Sequence, residues 1–324
     1  MNRSPLFRTA VVLTAILAIA LPVFAKDDAL SLVPANAVTV GMVKLREMRT
    51  SPLSSMLFEQ TDKMSADGEA EKFLSDAGLA PVKDVDVLVV ATSPRTNLGS
   101  EADVLVIAEG RFNVERLSSA LAARGAVKKG AYYVIADKND DDHDTGAVAF
   151  PSASLAIAGT ERAVVAALEA RANGGTTFRA ANGLGIDLAR VDRDATAWAL
   201  VDVTRAARLT KGGSIHTGKG QSGEALAAAL KSVSTFAVWA KDTGSALELG
   251  AFGLSTDAET LELIEDTVRG ALSAMRLAVK DKSPEMVSVL RRFEVSRKND
   301  SITIEGSIPA SSLREMMAKK RASK

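Results

Sequence analysis

The sequence predicts an α+β fold with two pseudo-repeated modules, each a mostly antiparallel sheet with helices packed on it. Short runs of alternating apolar and polar residues, separated by turn formers, are typical of antiparallel hairpins. Apolar residues spaced three and four apart indicate helices between those hairpins. The order strand, helix, hairpin, helix, hairpin, helix occurs twice along the 324 residues, which is the pattern of an internal repeat.

The first module is predicted for residues 30–180. Asn113 and Thr160 are expected to cap two of its helices, because their side-chain oxygens can accept a backbone N–H. Helices are expected on one face of the sheet. Strands are predicted at 37–43, 85–92, 102–110, 131–137, 146–150 and 154–159, and helices at 51–60, 68–77, 113–124 and 160–172.

The second module is predicted for residues 190–324, with residues 176–192 as the connection. Strand 196–203 has apolar residues on both sides, which favours a sheet buried on both faces or a lipid-sized groove between the modules. Strands are predicted at 196–203, 234–241, 245–255, 293–298 and 301–308, and helices at 222–231, 257–279, 284–291 and from 310 onward.

The first 25 residues have the pattern of a cleavable secretory signal peptide. Arg3 and Arg8 form a short basic region before the apolar run 10–21, an order typical of export signals. That run is shorter than the about 20 residues needed to cross a bilayer. Cleavage is expected after Ala25, which predicts a periplasmic or secreted protein without a transmembrane segment after cleavage.

Charge and composition argue against a nucleic-acid partner and against cysteine chemistry. Loss of Arg3 and Arg8 leaves a net charge of −2, with basic and acidic residues interleaved, so no nucleic-acid partner is expected. The chain has no Cys and therefore no disulfide or thiolate chemistry, although an exported protein could use both. No cofactor is expected.

Two short motifs resemble a known group of proteins. The segment 33–37 reads Val-Pro-Ala-Asn-Ala, and the segment 49–53 reads Arg-Thr-Ser-Pro-Leu. With the signal peptide and the first strand, these motifs resemble exported bacterial proteins with a duplicated α+β domain of unknown function. The resemblance covers most of the chain in outline. It implies export and the α+β architecture, and it transfers no activity.

The acidic segment 137–144 is the one candidate for a metal site. Its oxygen ligands Asp137, Asn139, Asp141 and Asp144 follow the alternate spacing of a calcium loop. The sixth position is Asp142 instead of Gly, and the twelfth lacks the bidentate Glu. A solvated hairpin tip is therefore the competing interpretation.

Other motifs give little support to catalysis or nucleotide binding. Residues 213–219 match a phosphate-binding loop, but Gly220 replaces the required Ser or Thr, which favours a glycine-rich surface loop. The two His, His143 and His216, lie in predicted loops of different modules. Whether the protein is an enzyme is left open, and the lack of His and Cys chemistry favours a non-catalytic role.

The sequence therefore favours an exported envelope protein that binds a ligand or a protein partner, with the cleft between the two modules as the expected site. Trp198 and Trp239 lie within predicted strands, where packing is their expected role. The alternatives are a carboxylate-dependent envelope hydrolase and a carrier of an apolar ligand.

Overall fold

The computed structural model describes residues 28–51, 53–54, 68–95, 101–135, 145–174, 178, 184–192, 194–209, 232–281 and 283–322. These residues form ten α-helices, two 3₁₀ helices and twelve strands. The predicted α+β class is confirmed.

Eleven of the twelve strands and most described helices lie close to their predicted positions; strand β4 was not predicted. The strands are β1 Thr39–Val43, β2 Val85–Pro94, β3 Ala102–Gly110, β4 Val127–Lys129, β5 Tyr132–Ile135, β6 Gly146–Ser152, β7 Leu155–Thr160, β8 Ala197–Asp202, β9 Thr235–Asp242, β10 Ala246–Leu254, β11 Glu294–Lys298 and β12 Ser301–Pro309. The helices are α1 Leu45–Thr50, α2 Gly68–Ala77, α3 Pro81–Asp84, α4 Val114–Ala123, α5 Glu161–Asn173, α6 Leu184–Asp187, α7 Val203–Leu209, α8 Ala258–Val279, α9 Pro284–Leu290 and α10 Ala310–Ala322, with 3₁₀ helices at Ala29–Leu32 and Leu188–Arg190.

All twelve strands join one sheet, in the order β11-β12-β10-β9-β8-β1-β2-β3-β7-β6-β5-β4. The two predicted modules meet where β1 pairs with β8 in antiparallel register, Gly41 opposite Ala199. Outward from this central pair, the order is β2, β3, β7, β6 on one side and β9, β10, β12, β11 on the other. Strands β1–β7 are called the first half of the sheet below, and strands β8–β12 are called the second half.

The largest core cluster lies on one side of the sheet, called face 1. Paired residues of antiparallel strands share a face, so Val40 and Leu200, which pair across β1 and β8, both belong to face 1. Helix α5 and the 3₁₀ helix Ala29–Leu32 cover this face in the first half. Its completely buried side chains include Val33, Val89, Ile107, Leu155, Ile157, Val164 and Leu200.

The opposite side, face 2, carries two smaller clusters. In the first half, Phe112 and Leu117 pack with Ala77 of α2. In the second half, α8 buries Leu261, Ile264, Val268 and Leu272 against β11 and β12. The first half therefore has helices on both faces, and the expectation of a single covered face is wrong there, because its strands are apolar on both sides.

One of the two expected caps is confirmed, and a cap that was not predicted occurs at Asp257. Asn113 Oδ1 accepts a hydrogen bond from Arg116 N at 3.0 Å, and Asp257 accepts from Thr260 N at 3.1 Å. Thr160 precedes α5 without a capping hydrogen bond, since its hydroxyl donates to Asp103 Oδ1 at 3.2 Å. Of the predicted helix 51–60 the structure describes 51 and 53–54, and the predicted helix 222–231 lies outside the described residues.

The sheet ends in two short edge strands. Strand β4 has three residues, all exposed, two of them Lys128 and Lys129. Strand β11 has five residues, and its Val295 carbonyl accepts a hydrogen bond from Arg269 Nη2 of α8 at 2.8 Å. Across the described ranges, no helix combines the length and the apolar character needed to span a membrane.

Candidate functional site: a pocket at the junction of the two halves

The register of β1, β8, β9 and β10 brings large side chains together on face 1. Met42 pairs with Trp198, Trp198 pairs with Trp239, and Trp239 pairs with Gly250. The Trp239 ring lies against Gly250 so closely that no Cβ would fit there. The Met42 thioether and the two indole rings thus form a band across the join between the halves. Both Trp side chains pack on the sheet, as predicted.

A pocket of about 490 Å³ opens beside this band and is called the junction pocket. The β1–β8 side contributes Met42 and the nearly buried Trp198. The segment 184–192, called the roof segment, lies over it. The volume is in the range of about 300 to 1,000 Å³ typical of small-molecule sites. The lining residues are Leu30, Met42, Lys44, Gly185, Leu188, Ala189, Val191, Asp192 and Trp198.

The rim of the junction pocket is charged. Lys241 Nζ lies 3.3 Å from Asp192 Oδ2 and 3.4 Å from Asp194 Oδ2. The backbone N–H of Asp194 is the largest cause of the lowered pKa of the Asp192 carboxyl; burial opposes it, and Lys241 and the charge of Lys44 lower it further. The hydrogen bond to Asp192 raises the pKa of Lys241. Both groups are therefore charged at neutral pH.

The roof segment is tied to the second half at three points. Asp187 Oδ2 accepts a hydrogen bond from Thr235 Oγ1 at 2.9 Å. The Arg190 guanidinium donates to both carboxylate oxygens of Asp300, at 3.2 and 2.8 Å. The Asp192–Lys241 ion pair is the third tie. These contacts fix the roof over the pocket, which favours a preformed site.

A second set of hydrogen bonds links the halves through Asp242. The backbone N–H of Ser54 donates to Asp242 Oδ2 at 3.0 Å, and the Ser54 hydroxyl donates to the same oxygen. Burial, the largest influence, would raise the pKa of Asp242, but hydrogen bonds from Ser51, Ser54 and the Gly244 N–H together lower it. An ionised carboxylate thus connects the chain after α1 to the β9–β10 turn.

A more polar pocket of about 380 Å³ lies at the start of α5. Its Asp103 carboxylate accepts from Arg95 Nε at 3.0 Å and Arg162 Nε at 2.9 Å. The neighbouring Glu161 accepts from Lys129 Nζ and from Tyr132 Oη, both at 2.9 Å. The cationic groups here already have carboxylate partners, which indicates a structural network.

The pKa of Glu161 also bears on the hydrolase alternative. Hydrogen bonds from Lys129, Tyr132 and Thr145 lower the pKa of Glu161 against a smaller opposing effect of burial. A general acid at neutral pH needs a raised pKa. Glu161 therefore lacks the property that would mark it as a catalytic acid.

The residues predicted for calcium lie outside the described residues. Strand β5 ends at Ile135 and β6 begins at Gly146, so the acidic segment 137–144 connects two paired strands, as predicted. Asp137, Asn139, Asp141 and Asp144 stay candidate ligands. The glycine-rich segment 213–219 and both His also fall outside the described residues. Within the described ranges, no cluster of three or more His, Asp or Glu is arranged to hold a metal ion.

Sequence reasoning missed the roof segment, which it treated as part of a connection. One signal was present: Leu184, Leu188 and Val191 are spaced four and three apart, the spacing of one helix face. The roof segment contains helix α6 and the 3₁₀ helix Leu188–Arg190, and its Leu184 and Val191 side chains are buried.

Comparison with known proteins gives a fold resemblance only. No protein-family model matches the chain, and no curated protein matches it. Solved structures of TP0453 are similar in outline: crystal form I has a TM-score of 0.48 and 9% identity over 90% of this chain and 97% of that one. Crystal form IV has a TM-score of 0.46 and 11% identity over 90% and 96% of the two chains. At this similarity the resemblance supports no inference about function.

Proposed function

We propose that this protein is an exported, non-catalytic binding protein that holds a small amphipathic ligand in the junction pocket. The observation that carries the proposal is the pairing of Met42 and Trp198 beneath the roof segment. An apolar wall favours an apolar ligand body, and the charged rim of Lys44, Asp192 and Lys241 favours a polar end.

The rim contains both acidic and basic side chains, and their pairing indicates which charged group a ligand would carry. Asp192 and Asp194 share Lys241, while Lys44 lies 3.5 Å from Glu47 Oε1. Exchange of the Lys44–Glu47 ion pair for a ligand group costs little, because Glu47 is more than half exposed and pairs with an exposed partner contribute about 0 to 1 kcal/mol. A ligand carboxylate that approaches Lys44 is the arrangement we favour.

Identification of the ligand is the first experiment. The chain starting at Lys26 should be purified without denaturant from a periplasmic fraction and measured by native mass spectrometry, with solvent extraction in parallel. A native mass larger than that of the protein alone, with the excess removed by solvent extraction, would support the proposal. For a protein that arrives empty, dodecanoate is the probe, with binding measured by calorimetry.

A matched pair of variants tests the location of the site. Ala189 lines the pocket, so Ala189→Trp should fill it and abolish dodecanoate binding. Ile186 is also in the roof segment but is 61% exposed and outside the lining, so Ile186→Trp should bind like the natural protein. Equal affinity in both variants, or no saturable binding in the natural protein, would contradict the proposal.

We also infer export and an internal repeat. The basic start, the apolar run 10–21 and Ala25 support cleavage of a signal peptide. An intact N-terminus on protein from the periplasm would contradict cleavage of the signal peptide.

The matching strand order outward from β1 and β8 supports two related modules. Because those modules share one sheet and the Ser54–Asp242 contacts, we expect a single cooperative unfolding transition.

A further inference from the structure

A pocket of about 500 Å³ lies between α8 and the edge strand β11 and is called the edge pocket. It is on face 2, where α8 packs on the sheet, whereas the junction pocket is on face 1. Its volume is in the range of about 300 to 1,000 Å³ typical of small-molecule sites. Helix α8 contributes Arg269, Leu272, Ser273 and Arg276 to the lining, and the β11 side contributes Phe293, Glu294 and Val295.

One wall of the edge pocket is apolar and includes an aromatic ring. Leu272 and Val295 are buried in the core cluster beneath α8. Phe293 is half-buried, and its ring lies against Gly306 so closely that no Cβ would fit there. The sheet thus fixes the position of the ring, which offers an apolar surface to a flat ligand.

Arg276 places a guanidinium in the same pocket, where neutral acceptors hold it. Its Nη2 donates to the Leu290 carbonyl at 2.9 Å, and its Nε donates to the same oxygen at 3.3 Å. Nη2 also contacts the Phe293 carbonyl at 3.5 Å. A guanidinium has five N–H donors, and among the described residues no acceptor contacts Arg276 Nη1. The carbonyls therefore position the guanidinium without neutralising its charge.

Guanidiniums outnumber carboxylates beside the edge pocket. Glu265 Oε1 accepts from Arg269 Nη2 at 2.8 Å, and the other oxygen of Glu265 lies 3.2 Å from Arg297 Nε. Glu262, which is 66% exposed, lies 3.3 Å from Arg297 Nη1. Two carboxylates thus face three guanidiniums, and the one without a carboxylate is Arg276. The excess of positive charge favours an anionic ligand.

Glu294 lines the edge pocket but does not supply the missing carboxylate. Val295 packs against α8, and successive strand residues point to opposite faces. The Glu294 side chain therefore points to face 1, on the same side as Glu305, its partner across β12. In the part of the chain that the structure describes, no carboxylate is thus placed to neutralise Arg276.

We propose that the edge pocket is a second binding site, which takes a small aromatic acid. The ligand carboxylate accepts hydrogen bonds from Arg276 Nη1, and the ligand ring lies along Phe293 and Leu272. Hydrogen bonds between charged groups are roughly twice as strong as neutral ones, so the carboxylate contributes much of the affinity. The site is independent of the junction pocket, because the two pockets share no lining residue and lie on opposite faces.

Titration of the mature chain with cinnamate, followed by heteronuclear NMR, tests the site. We expect saturable shifts that include the Arg276 Nε–H signal, with a dissociation constant in the millimolar range or tighter for a ligand of this size. Cinnamamide has the same shape without the charge and should bind about tenfold more weakly. Equal affinity for the two compounds, or no saturable binding of cinnamate, would overturn the proposal.

A matched pair of variants on α8 tests the location. Ser273 lines the edge pocket, so Ser273→Trp should fill it and abolish cinnamate binding. Ala274 is the next residue, is also exposed and is outside the lining, so Ala274→Trp should bind cinnamate like the natural protein. Equal cinnamate affinity in these two variants would contradict a site between α8 and β11.

A second pair of variants tests the charge. Arg276→Gln should weaken cinnamate binding by about tenfold and leave cinnamamide binding unchanged, a difference that general damage to the fold would not produce. Arg292→Gln is the control, since Arg292 is exposed, adjacent to Phe293 and outside the lining, and it should change cinnamate affinity by less than about twofold. Natural cinnamate affinity in Arg276→Gln would overturn the role of Arg276.

A filled junction pocket separates this site from the first one. Ala189→Trp should leave the cinnamate-induced shifts and the affinity unchanged, because Ala189 lines only the junction pocket. Loss of cinnamate binding in Ala189→Trp would assign cinnamate to the junction pocket and overturn the proposal.

Discussion

The two halves of the sheet share a strand order but differ in what covers them. In the first half, β7 lies under α5 with Leu155 and Ile157 completely buried on face 1. Strand β12 has the corresponding place in the second half, third outward from the central pair. Its face 1 carries Ser301, Thr303 and Glu305, and only its face 2 contributes to a core.

This difference shows that strand order does not determine whether helices cover a given face of the sheet. Both sides of β7 are apolar, because Ala156 and Ala158 alternate with the two large residues. In β12 the alternation is apolar on one side and polar on the other, which is typical of a strand with one solvated face. The residue alternation therefore decides where a helix can pack, and it predicts different mutational sensitivity in the two halves.

The largest expected effect is at the doubly covered half. Ile157→Ala removes a completely buried side chain and should lower the free energy of unfolding by about 3 to 4 kcal/mol. Thr303→Ala, at the corresponding strand and face of the second half, should change it by less than about 0.5 kcal/mol. Urea denaturation of both variants measures the difference, and similar losses would break the comparison.

The next effect concerns the contact between the halves. Asp242→Ala removes the acceptor for Ser51 and Ser54 and leaves their donors without it, so it should lower the free energy of unfolding by about 1 to 3 kcal/mol. Ser245→Ala, in the same turn, is the control and should change it little. Differential scanning calorimetry gives the unfolding profile; an unshifted midpoint in Asp242→Ala would show that the sheet alone holds the halves together.

A smaller effect is the acid dependence of the first half. The pKa of Glu161 is lowered from its ordinary value of 4.5 by hydrogen bonds to Lys129, Tyr132 and Thr145. Its stabilisation is therefore complete above that value and is lost as the pH falls through the lower pKa of the folded state. Glu161→Gln should reduce stability at pH 7 and flatten its decline between about pH 5 and 3. An unchanged decline in urea melts across that range would contradict this.

The smallest effect is expected at the exposed Arg190–Asp300 pair of the second half. Both side chains are nearly half exposed, so Arg190→Ala should cost about 0.2 to 1 kcal/mol. The loss should shrink in 1 M NaCl, where the Debye length is about 3 Å. A larger, salt-independent loss would show that the roof segment is more important for stability than its surface contacts indicate.

Local patterns predicted most of the elements, because caps and alternation act over a few residues. Asn113 caps its helix as expected. Thr160 does not, because Asp103, distant in sequence, accepts its hydroxyl hydrogen. Strand β4 was missed, since its three residues Val-Lys-Lys show too little alternation to indicate a strand.

The residues of the candidate site were less accessible to sequence reasoning than its position. The order of the two modules led to the expectation of a site between them, and the candidate pocket lies beside the pairing of β1 with β8. Its residues depend on the register of β1 against β8, which places Met42 opposite Trp198. No local pattern specifies which of several apolar strands will pair across so long a separation, so neither this register nor the single sheet could be predicted.

The edge strands have a consequence for how the protein behaves at high concentration. An open sheet of twelve strands presents two borders where another chain could add a strand and begin a fibre. At one border, β4 has only three residues and two lysines, too short and too charged to template growth. At the other, β11 ends in Arg297 and Lys298. The positive charge at both borders therefore opposes the addition of another strand.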